Sequence, residues 1–460
     1  MNPNSSAQPF LAALTDKQLL ICVLLVVVGL ILLIRYARLP AFIALLVASF
    51  AVGACGGLNV GQIITAFQEG VGGLLGQIAL IIGLGAVLGK LLAESGGAQQ
   101  IAQKLLTLFG PSHLPWTMGL LGFVVGLPVF FGVGLVILAP ILYAVKEKTD
   151  VPFLRLAVPL LAGLSAAHGF VPPHPGAMVA VNILKADLGK TLLYSILIGG
   201  AAAVISGPLL CKVCRFLDRV QPASNLFRPT QSPQPGCKLP SFWPALIAML
   251  LPILLMALAT AADLALDKDN ILRKVADALG APLTAMLISA LVAFRVFGTA
   301  CGFNRETILK FSEDSLFPIA SILLVVGCGG GFNKVLVASG VGNAIAEFAR
   351  QTSVSPLIFG WLVAAMIRVA TGSATVAIST AAGIVAPLIA TMPGVRPELM
   401  VIAMGGGSLI LSHVNDSGFW LVKEYMGLSL TETFKSWTLL ETSLSLSSLV
   451  MVLLVERIVA

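Results

Sequence analysis

The chain has 460 residues, of which 57% are hydrophobic and 11% are charged, and its formal net charge is +7. A soluble domain carries about 25% charged residues, so this composition excludes an ordinary soluble protein and indicates an all-α polytopic membrane protein. The positive excess is typical of basic cytoplasmic loops and does not indicate nucleic-acid binding.

The first two predicted spans, residues 19–34 and 41–54, belong to an N-terminal segment of residues 1–58. The turn between them contains Arg35 and Arg38, which places this turn in the cytoplasm and the N-terminus outside. The residues before the first span have no basic region typical of a cleavable signal, so this span is expected to serve as an uncleaved insertion signal.

Two related halves follow the N-terminal spans. Residues 59–210 form the first half, and residues 211–241 form a linker that is rich in basic residues and proline. Such a composition predicts a cytoplasmic loop. Residues 242–303 contain the spans that open the second half, and residues 304–460 complete it.

Apolar runs recur in both halves, at residues 74–88, 191–210, 242–258, 286–297 and 444–455. Since one span needs about 20 mostly apolar residues, we count roughly ten to fourteen membrane-embedded segments. The 46 glycines and 26 prolines are many for simple spans. They predict interrupted helices, which are tolerated where the backbone is buried in protein or lines a cavity.

A duplicated segment relates the two halves. Residues 67–102 and 311–346, aligned without a gap, are identical at 12 of 36 positions. Lys90 and Lys104 follow the first copy, which is therefore predicted to run inward, whereas a basic cluster that includes Arg305 precedes the second copy, which is predicted to run outward. The chain is thus predicted to consist of two inverted repeats, with a transport site where they meet.

The first candidate site motif is a proline-rich loop at residues 167–176. It contains His168, Gly169, Pro173 and His174, and its prolines and glycines leave backbone groups free to meet a ligand. Two imidazoles beside apolar spans can donate to an anion or relay protons. The alternative is an interfacial loop whose histidines cap helix ends.

The second motif lies at the matching place in the second half and contains His413, Asn415, Asp416 and Ser417. Asp416 follows a long apolar stretch, and a carboxylate there must be paired, hydrated or protonated. We predict that it carries a coupling proton or helps to bind a cation. The alternative is that Asp416 caps a helix N-terminus, a position that Asp and Asn favour.

Arg368, Gly372, Ser373 and Thr375 form the third motif, which is predicted to be the tip of a re-entrant hairpin. Hydroxyl groups and a helix N-terminus there can face an anion, and Arg368 can hold a carboxylate by two parallel hydrogen bonds. The alternatives are an arginine that reaches the interface and small residues that pack helices. Residues 126–134 are the counterpart in the first half, predicted to be a second hairpin or a kinked span.

Other chemistry finds little support in the sequence. Cys211 and Cys214 form a lone C-x-x-C without a second pair at metal-binding spacing, so the seven cysteines are interpreted as incidental thiols. No arrangement of serine, histidine and aspartate typical of a hydrolase is evident. We therefore predict neither a metal site nor a cofactor, and no enzymatic activity.

Four segments resemble the gluconate permease family of proton-coupled symporters, and the similarity extends from about residue 18 to the C-terminus. They are H-G-F-V-P-P-H-P-G at 168–176, A-D-L-G-K-T-L-L-Y at 186–194, G-S-A-T-V-A at 372–377 and S-H-V-N-D-S-G-F-W-L-V-K-E-Y at 412–425. The amino-acid sequences of both histidine motifs resemble those of the sugar-acid members more closely than those of the D-serine members.

The resemblance implies uptake of a sugar acid such as gluconate, with a proton, across the inner membrane of a bacterium. The wider ion transporter superfamily implies a homodimer in the lipid bilayer, with a scaffold and a moving transport domain. A sodium-coupled carrier, an uncoupled carrier of a related carboxylate or D-serine, and a channel are the alternatives.

One position departs from the family pattern. The first hairpin of the family is similar to F-[FYV]-E-V-G, whereas this chain has Gly132 where that pattern has glutamate. A carboxylate in a hairpin is a natural proton carrier, so Gly132 is expected to weaken proton coupling while sparing binding.

The predicted site unites the three motifs around a small carboxylate. Arg368, Gly372, Ser373 and Thr375 are expected to hold the anion. The expected contacts to the rest of the substrate are His168, Gly169, Pro173, His174, His413, Asn415 and Ser417. Asp416, His168 and the position of Gly132 are the predicted proton-coupling positions.

Overall fold

The structure is a computed structural model that describes residues 16–110, 113–220, 238–340, 355–391, 394–414 and 416–459. All regular secondary structure within these ranges is helical, which confirms the predicted all-α class. In the described part of the chain, seven helices are long and apolar enough to cross a membrane, and five shorter helices are also apolar. The roughly ten to fourteen membrane-embedded segments predicted from the sequence included both complete spans and short segments. The structure distinguishes the long helices from the short ones.

The helices up to the linker are α1 (Asp16–Arg35), α2 (Ala41–Cys55), α3 (Val60–Glu94), α4 (Gly97–Phe109), α5 (Leu114–Gly126), α6 (Phe131–Glu147), α7 (Phe153–Phe170), α8 (Pro175–Leu184), α9 (Leu188–Val204) and α10 (Leu210–Val213). Several begin at a proline or directly after one, because proline is tolerated in a first helical turn whose N–H groups have no helical partner. A π-helical turn at Ile205–Leu209 joins α9 to α10.

After the linker the helices are α11 (Phe242–Ala265), α12 (Ile271–Gly280), α13 (Pro282–Ala293), α14 (Arg305–Ala338), α15 (Pro356–Thr371), α16 (Ala374–Thr391), α17 (Pro397–Gly407), α18 (Ser417–Tyr425), α19 (Leu430–Thr433) and α20 (Leu439–Val459). Further π-helical turns follow α13, at Phe294–Gly298, and join α19 to α20, at Phe434–Thr438. The last helices of both halves therefore contain the same kind of irregularity.

The duplicated segment forms α3 and α14, which begin and end alike. Asn59 and Asn304 cap the two N-termini, each accepting a hydrogen bond from a backbone N–H three residues later, at 2.9 and 2.7 Å. Both helices end before a glycine of positive φ, Gly96 and Gly340. The repeat thus preserves the signals that start and stop the helix.

The two copies pack against each other in antiparallel orientation. Phe67 lies beside Gly331 and Leu75 beside Gly327, whereas Leu316 lies beside Gly83, so residue numbers rise along α3 as they fall along α14. Two spans that cross a membrane side by side in this way run in opposite directions. The packing agrees with inverted repeats, and their orientation relative to the membrane stays a prediction.

α7 is the most central helix, since nearly all of its residues are buried. Its first part belongs to one large apolar core and its last turn to a second. Ser165 and His168 lie on α7 at the boundary between these cores. A buried polar side chain needs hydrogen-bond partners, so this boundary is where a cavity with polar walls is expected.

A disulfide joins Cys22 in α1 to Cys55 at the end of α2. These helix ends lie on the predicted outer side of the membrane, an oxidising compartment in bacteria. The interpretation of all cysteines as incidental thiols is therefore wrong for this pair. The pairing was not evident because a disulfide between residues 33 positions apart depends on how two helices pack.

The contact between α5 and α7 requires glycine at position 163. A Cβ atom added to Gly163 would lie 2.3 Å from the carbonyl oxygen of Gly119 and 2.4 Å from the backbone nitrogen of Phe123. Overpacking costs about 1–3 kcal/mol, which exceeds the gain of about 1 kcal/mol from alanine in a helix. Gly163→Ala is therefore expected to lower the melting temperature of the detergent-purified protein.

Gly200→Ala in α9 is the matched control, because a Cβ atom at Gly200 meets nothing within 4 Å. This variant is expected to melt at the wild-type temperature or slightly above it. Equal melting temperatures for both variants would contradict the close packing of α5 against α7.

Candidate functional site

A cavity of about 790 Å³ opens between the two halves. Its walls come from α3, α6 and α7 in the first half and from α14, α15, α16, α18 and α20 in the second. Ligand cavities commonly measure about 300–1,000 Å³, so this one has room for a small organic acid. The predicted site residues that line it are Gly132, His168, Arg368, Gly372, Ser373, Thr375, Asp416 and Ser417.

Arg368 lies in the last turn of α15 and is 4% exposed. Its guanidinium forms an ion pair with Asp416 and donates a hydrogen bond to the carbonyl oxygen of Gly372 at 2.5 Å. The side chain lies inside the protein and does not reach the interface, so the snorkelling alternative does not hold. Among the described residues, the Nε atom of Arg368 has no hydrogen-bond partner. This N–H group remains a donor for a ligand in the cavity.

Gly372 gives the hairpin between α15 and α16 its sharp turn. Its φ of 72° is in the left-handed region that non-glycine residues adopt at a cost. The turn brings Ser373, Ala374 and Thr375, at the start of α16, to the cavity wall. A helix N-terminus presents free N–H groups and a positive dipole end, so this tip can bind an anion beside the Arg368 guanidinium.

Asp416 precedes α18 and combines the two roles considered for it. One carboxylate oxygen accepts from the backbone N–H of Gly418 at 2.8 Å, which caps the helix. The other accepts from the Arg368 guanidinium and from the Ser412 hydroxyl. Trp437 Nε1 in turn donates to the Ser412 oxygen at 2.7 Å. Asp416 therefore has one cation and two neutral donors, and a carboxylate held in this way is strongly stabilised.

The two histidines of the first motif differ in their surroundings, since His168 lies in the last turn of α7, not in a loop, and His174 directly precedes α8. The rings of His168 and His174 lie 5.0 Å apart, and both meet Phe130 edge to face. His174 Nε2 donates to the carbonyl oxygen of Gly126 at 2.7 Å, which ties α8 to the first hairpin. His168 lines the cavity, and its Nδ1 atom has no partner among the described residues. His168 is thus the one that can meet a ligand.

Four predicted residues do not line the cavity: Gly169, Pro173, His174 and His413. Gly169 packs against Leu409, and the exposed His413 contacts the carbonyl oxygen of Val369 at 3.1 Å through Nε2. These positions hold the cavity walls in place from behind. Asn415 lies outside the described residues.

Several cavity residues were not singled out from the sequence, among them Ser165, Trp437 and Glu441. Glu441 is 1% exposed and lies just before the apolar run at residues 444–455. The cost of a carboxylate beside such a stretch drew attention to Asp416, and the same criterion applied to Glu441 would have found it.

At Gly132 the cavity wall has space for a side chain. A Cβ atom there would meet Leu421 Cδ1 at 3.2 Å, and the end of a leucine side chain can move by a few tenths of an ångström. Glycine at this position therefore leaves open a part of the cavity that a longer side chain can occupy.

A family model described as GntP family permease matches residues 18–458. The chain is 46% identical over 444 residues to a gluconate permease of Pseudomonas aeruginosa, covering 96% of this chain and 98% of that protein. It is 44% identical over 434 residues to a high-affinity gluconate transporter of Escherichia coli K12, covering 94% of this chain and 98% of that protein.

Among solved structures, the fold is similar to that of the Alcanivorax borkumensis YdaH transporter. The TM-score is 0.66 at 18% sequence identity, covering 92% of this chain and 97% of that chain. Likeness at this level of identity concerns the fold alone.

Proposed function

The chain belongs to the GntP permease family and is a multi-pass protein of the bacterial inner membrane, and we propose that it imports gluconate or a closely related sugar acid together with a proton. Relatives named as gluconate permeases cover nearly the whole chain, which supports the substrate class. The homodimer implied by the superfamily resemblance stays a prediction.

The observation that carries the proposal is the position of Arg368 beside the start of α16 on one cavity wall. The unpartnered Nε–H group and the helix N-terminus form a cradle for one carboxylate. Asp416 already accepts a hydrogen bond from one nitrogen atom, Nη2, of the Arg368 guanidinium. A substrate carboxylate must therefore share Arg368 with Asp416 or displace it, so binding is coupled to the charge state of the site.

A proton is the expected companion because the two cations on the cavity wall, Lys90 and Arg368, already have carboxylate partners. Arg368 pairs with Asp416, and Lys90 at the rim pairs with Glu94 at 2.7 Å. An incoming monoanion adds a negative charge in a low-dielectric environment, where uncompensated charge is costly. One proton per monoanion keeps the net charge of the site constant. Proton coupling through His168, Asp416 and the position of Gly132, as expected from the sequence, stays a prediction.

Electroneutral symport gives a specific prediction for proteoliposomes. With one proton per monoanion, a pH difference of one unit, acid outside, is expected to concentrate gluconate by at most about tenfold. A potassium diffusion potential alone is expected to have no effect on uptake, although 100 mV contributes about 2.3 kcal/mol per charge moved. Radiolabelled gluconate measures both, and unlabelled sugar acids, glycerate and D-serine as competitors define the substrate.

Other outcomes would identify the alternatives. Uptake that requires a sodium gradient and does not depend on the pH gradient indicates a sodium-coupled carrier. Counterflow without any accumulation indicates an uncoupled carrier, and the absence of saturable counterflow indicates a channel.

A further inference from the structure

Glu441 is a buried carboxyl group that opens onto the same cavity as Arg368. It lies in the first turn of α20, directly after the π-helical turn that contains Trp437, which also lines the cavity. Burial of a carboxyl group at this depth is costly unless it is paired or neutral. The groups around Glu441 therefore determine whether its carboxyl group is charged or neutral.

The partners of Glu441 are few. The Ser165 hydroxyl of α7 lies near its carboxyl group, and both side chains line the cavity. The Oε1 atom of Glu441 is buried and has no hydrogen-bond partner among the described residues. The charged groups that interact with Glu441 are Arg368 of α15 and Asp416 at the start of α18, and His168 of α7 lines the same cavity.

These groups do not provide a counter-ion for Glu441. The Arg368 guanidinium is already paired with Asp416 and bonded to the Gly372 carbonyl. A charged Glu441 would be a second carboxylate beside a neutral pair. Such an uncompensated charge is costly in a low-dielectric interior. A proton on Oε1 removes the cost and gives this oxygen a hydrogen to donate.

The other two titratable groups near Arg368 are poorer places for a proton. Asp416 would lose charge-assisted hydrogen bonds from Arg368, Ser412 and Gly418. His168 would gain a positive charge while it interacts with the Arg368 cation. Resting on the proposed proton symport, the geometry points to Glu441 as the residue that binds the transported proton.

The cycle follows from this assignment. A proton from the outside binds to Glu441 Oε1, and the substrate carboxylate then meets Arg368 without facing a second unpaired carboxylate. When the site opens inward, the sugar acid leaves and the proton passes from Oε1 to water. In the empty site, a charged Glu441 therefore disfavours binding of the sugar acid, whereas a protonated Glu441 permits it.

Glu441→Gln tests the assignment because glutamine keeps the size and polarity of the protonated side chain but cannot release a proton. In proteoliposomes we expect gluconate counterflow within about twofold of wild type, while accumulation driven by one pH unit falls from the wild-type ratio to about one. Gluconate binding in weakly buffered solution is expected to take up protons with the wild type and none with the variant. Glu456→Gln, on the same helix but away from the cavity, is the matched control and should behave as wild type.

If the wild type accumulates gluconate and Glu441→Gln accumulates it equally well, the assignment of the proton to Glu441 is overturned. The proposed function is not affected by that result. Failure of the wild type itself to bind gluconate overturns both. If the glutamine variant does not fold, Ser165→Ala serves instead, because it removes the hydroxyl group near Glu441. The pH profile of proton uptake should then shift, and an unchanged profile overturns the proposal.

Discussion

Replacement of Arg368 by alanine is expected to abolish gluconate binding and uptake. The side chain is the expected anchor for the substrate carboxylate, and it is also the counter-ion of the buried Asp416. Removing one member of a buried pair costs about 3–5 kcal/mol, which corresponds to a loss of more than about 100-fold in an equilibrium constant. Calorimetric titration of the purified protein with gluconate, together with uptake by proteoliposomes, measures the effect.

A double variant separates binding from folding. In Arg368→Ala alone, Asp416 is left without its cation, so part of the effect is structural. Arg368→Ala with Asp416→Ala removes both charges and is expected to regain thermal stability but no gluconate binding. Binding by this double variant at wild-type affinity would contradict the role of Arg368 as the anion anchor.

Two further variants refine this prediction. Arg368→Lys keeps the charge but loses the planar fork, and is expected to bind gluconate at least about tenfold more weakly. Arg457→Ala removes an exposed arginine of α20 and serves as the control, with wild-type binding expected.

Much of the architecture could be predicted because its signals are local. Asn59 and Asn304 cap α3 and α14 from matching places in the repeat, and cap residues act on N–H groups within the next turn. The hairpin turn at Gly372 likewise follows from neighbouring residues. Clustered polar residues in an apolar chain then indicated where the cavity walls would be.

The pairings inside the site could not be predicted in the same way. Arg368 and Asp416 lie 48 residues apart, and their contact depends on how α15 and α18 pack. The sequence therefore suggested a free arginine for the substrate, whereas the structure shows one already shared with an aspartate. The role of Glu441 likewise depends on its position relative to Arg368 and Ser165, which lie on other helices around the same cavity.

Gly132→Glu is expected to increase the accumulation of gluconate that a pH gradient drives. The variant places a carboxyl group in the first turn of α6, on the wall of the cavity that also holds Arg368 and Glu441. An acidic residue in the first turn of a helix is favourable, and the new Cβ atom meets only the end of Leu421 within 4 Å, so the variant should fold. A second carboxyl group that can carry a proton reduces the fraction of transport cycles that proceed without one.

The expected size of this effect is bounded by the driving force. A wild-type accumulation below the ceiling of about tenfold per pH unit leaves room for a gain, and Gly132→Glu should raise the ratio toward that ceiling. Counterflow, which needs binding and alternating access but no net proton movement, should stay within about twofold of wild type. Proteoliposomes with an imposed pH difference of one unit measure both quantities.

Gly132→Gln is the decisive comparison, because it fills the same space with the same number of heavy atoms but cannot carry a proton. If space alone mattered, glutamine and glutamate would change accumulation equally. If the carboxyl group matters, Gly132→Glu raises accumulation and Gly132→Gln does not. The double variant Gly132→Glu with Glu441→Gln should then also regain part of the accumulation that Glu441→Gln alone loses, since both side chains open onto one cavity. Equal accumulation by the wild type and Gly132→Glu would show that proton coupling in this chain does not depend on position 132.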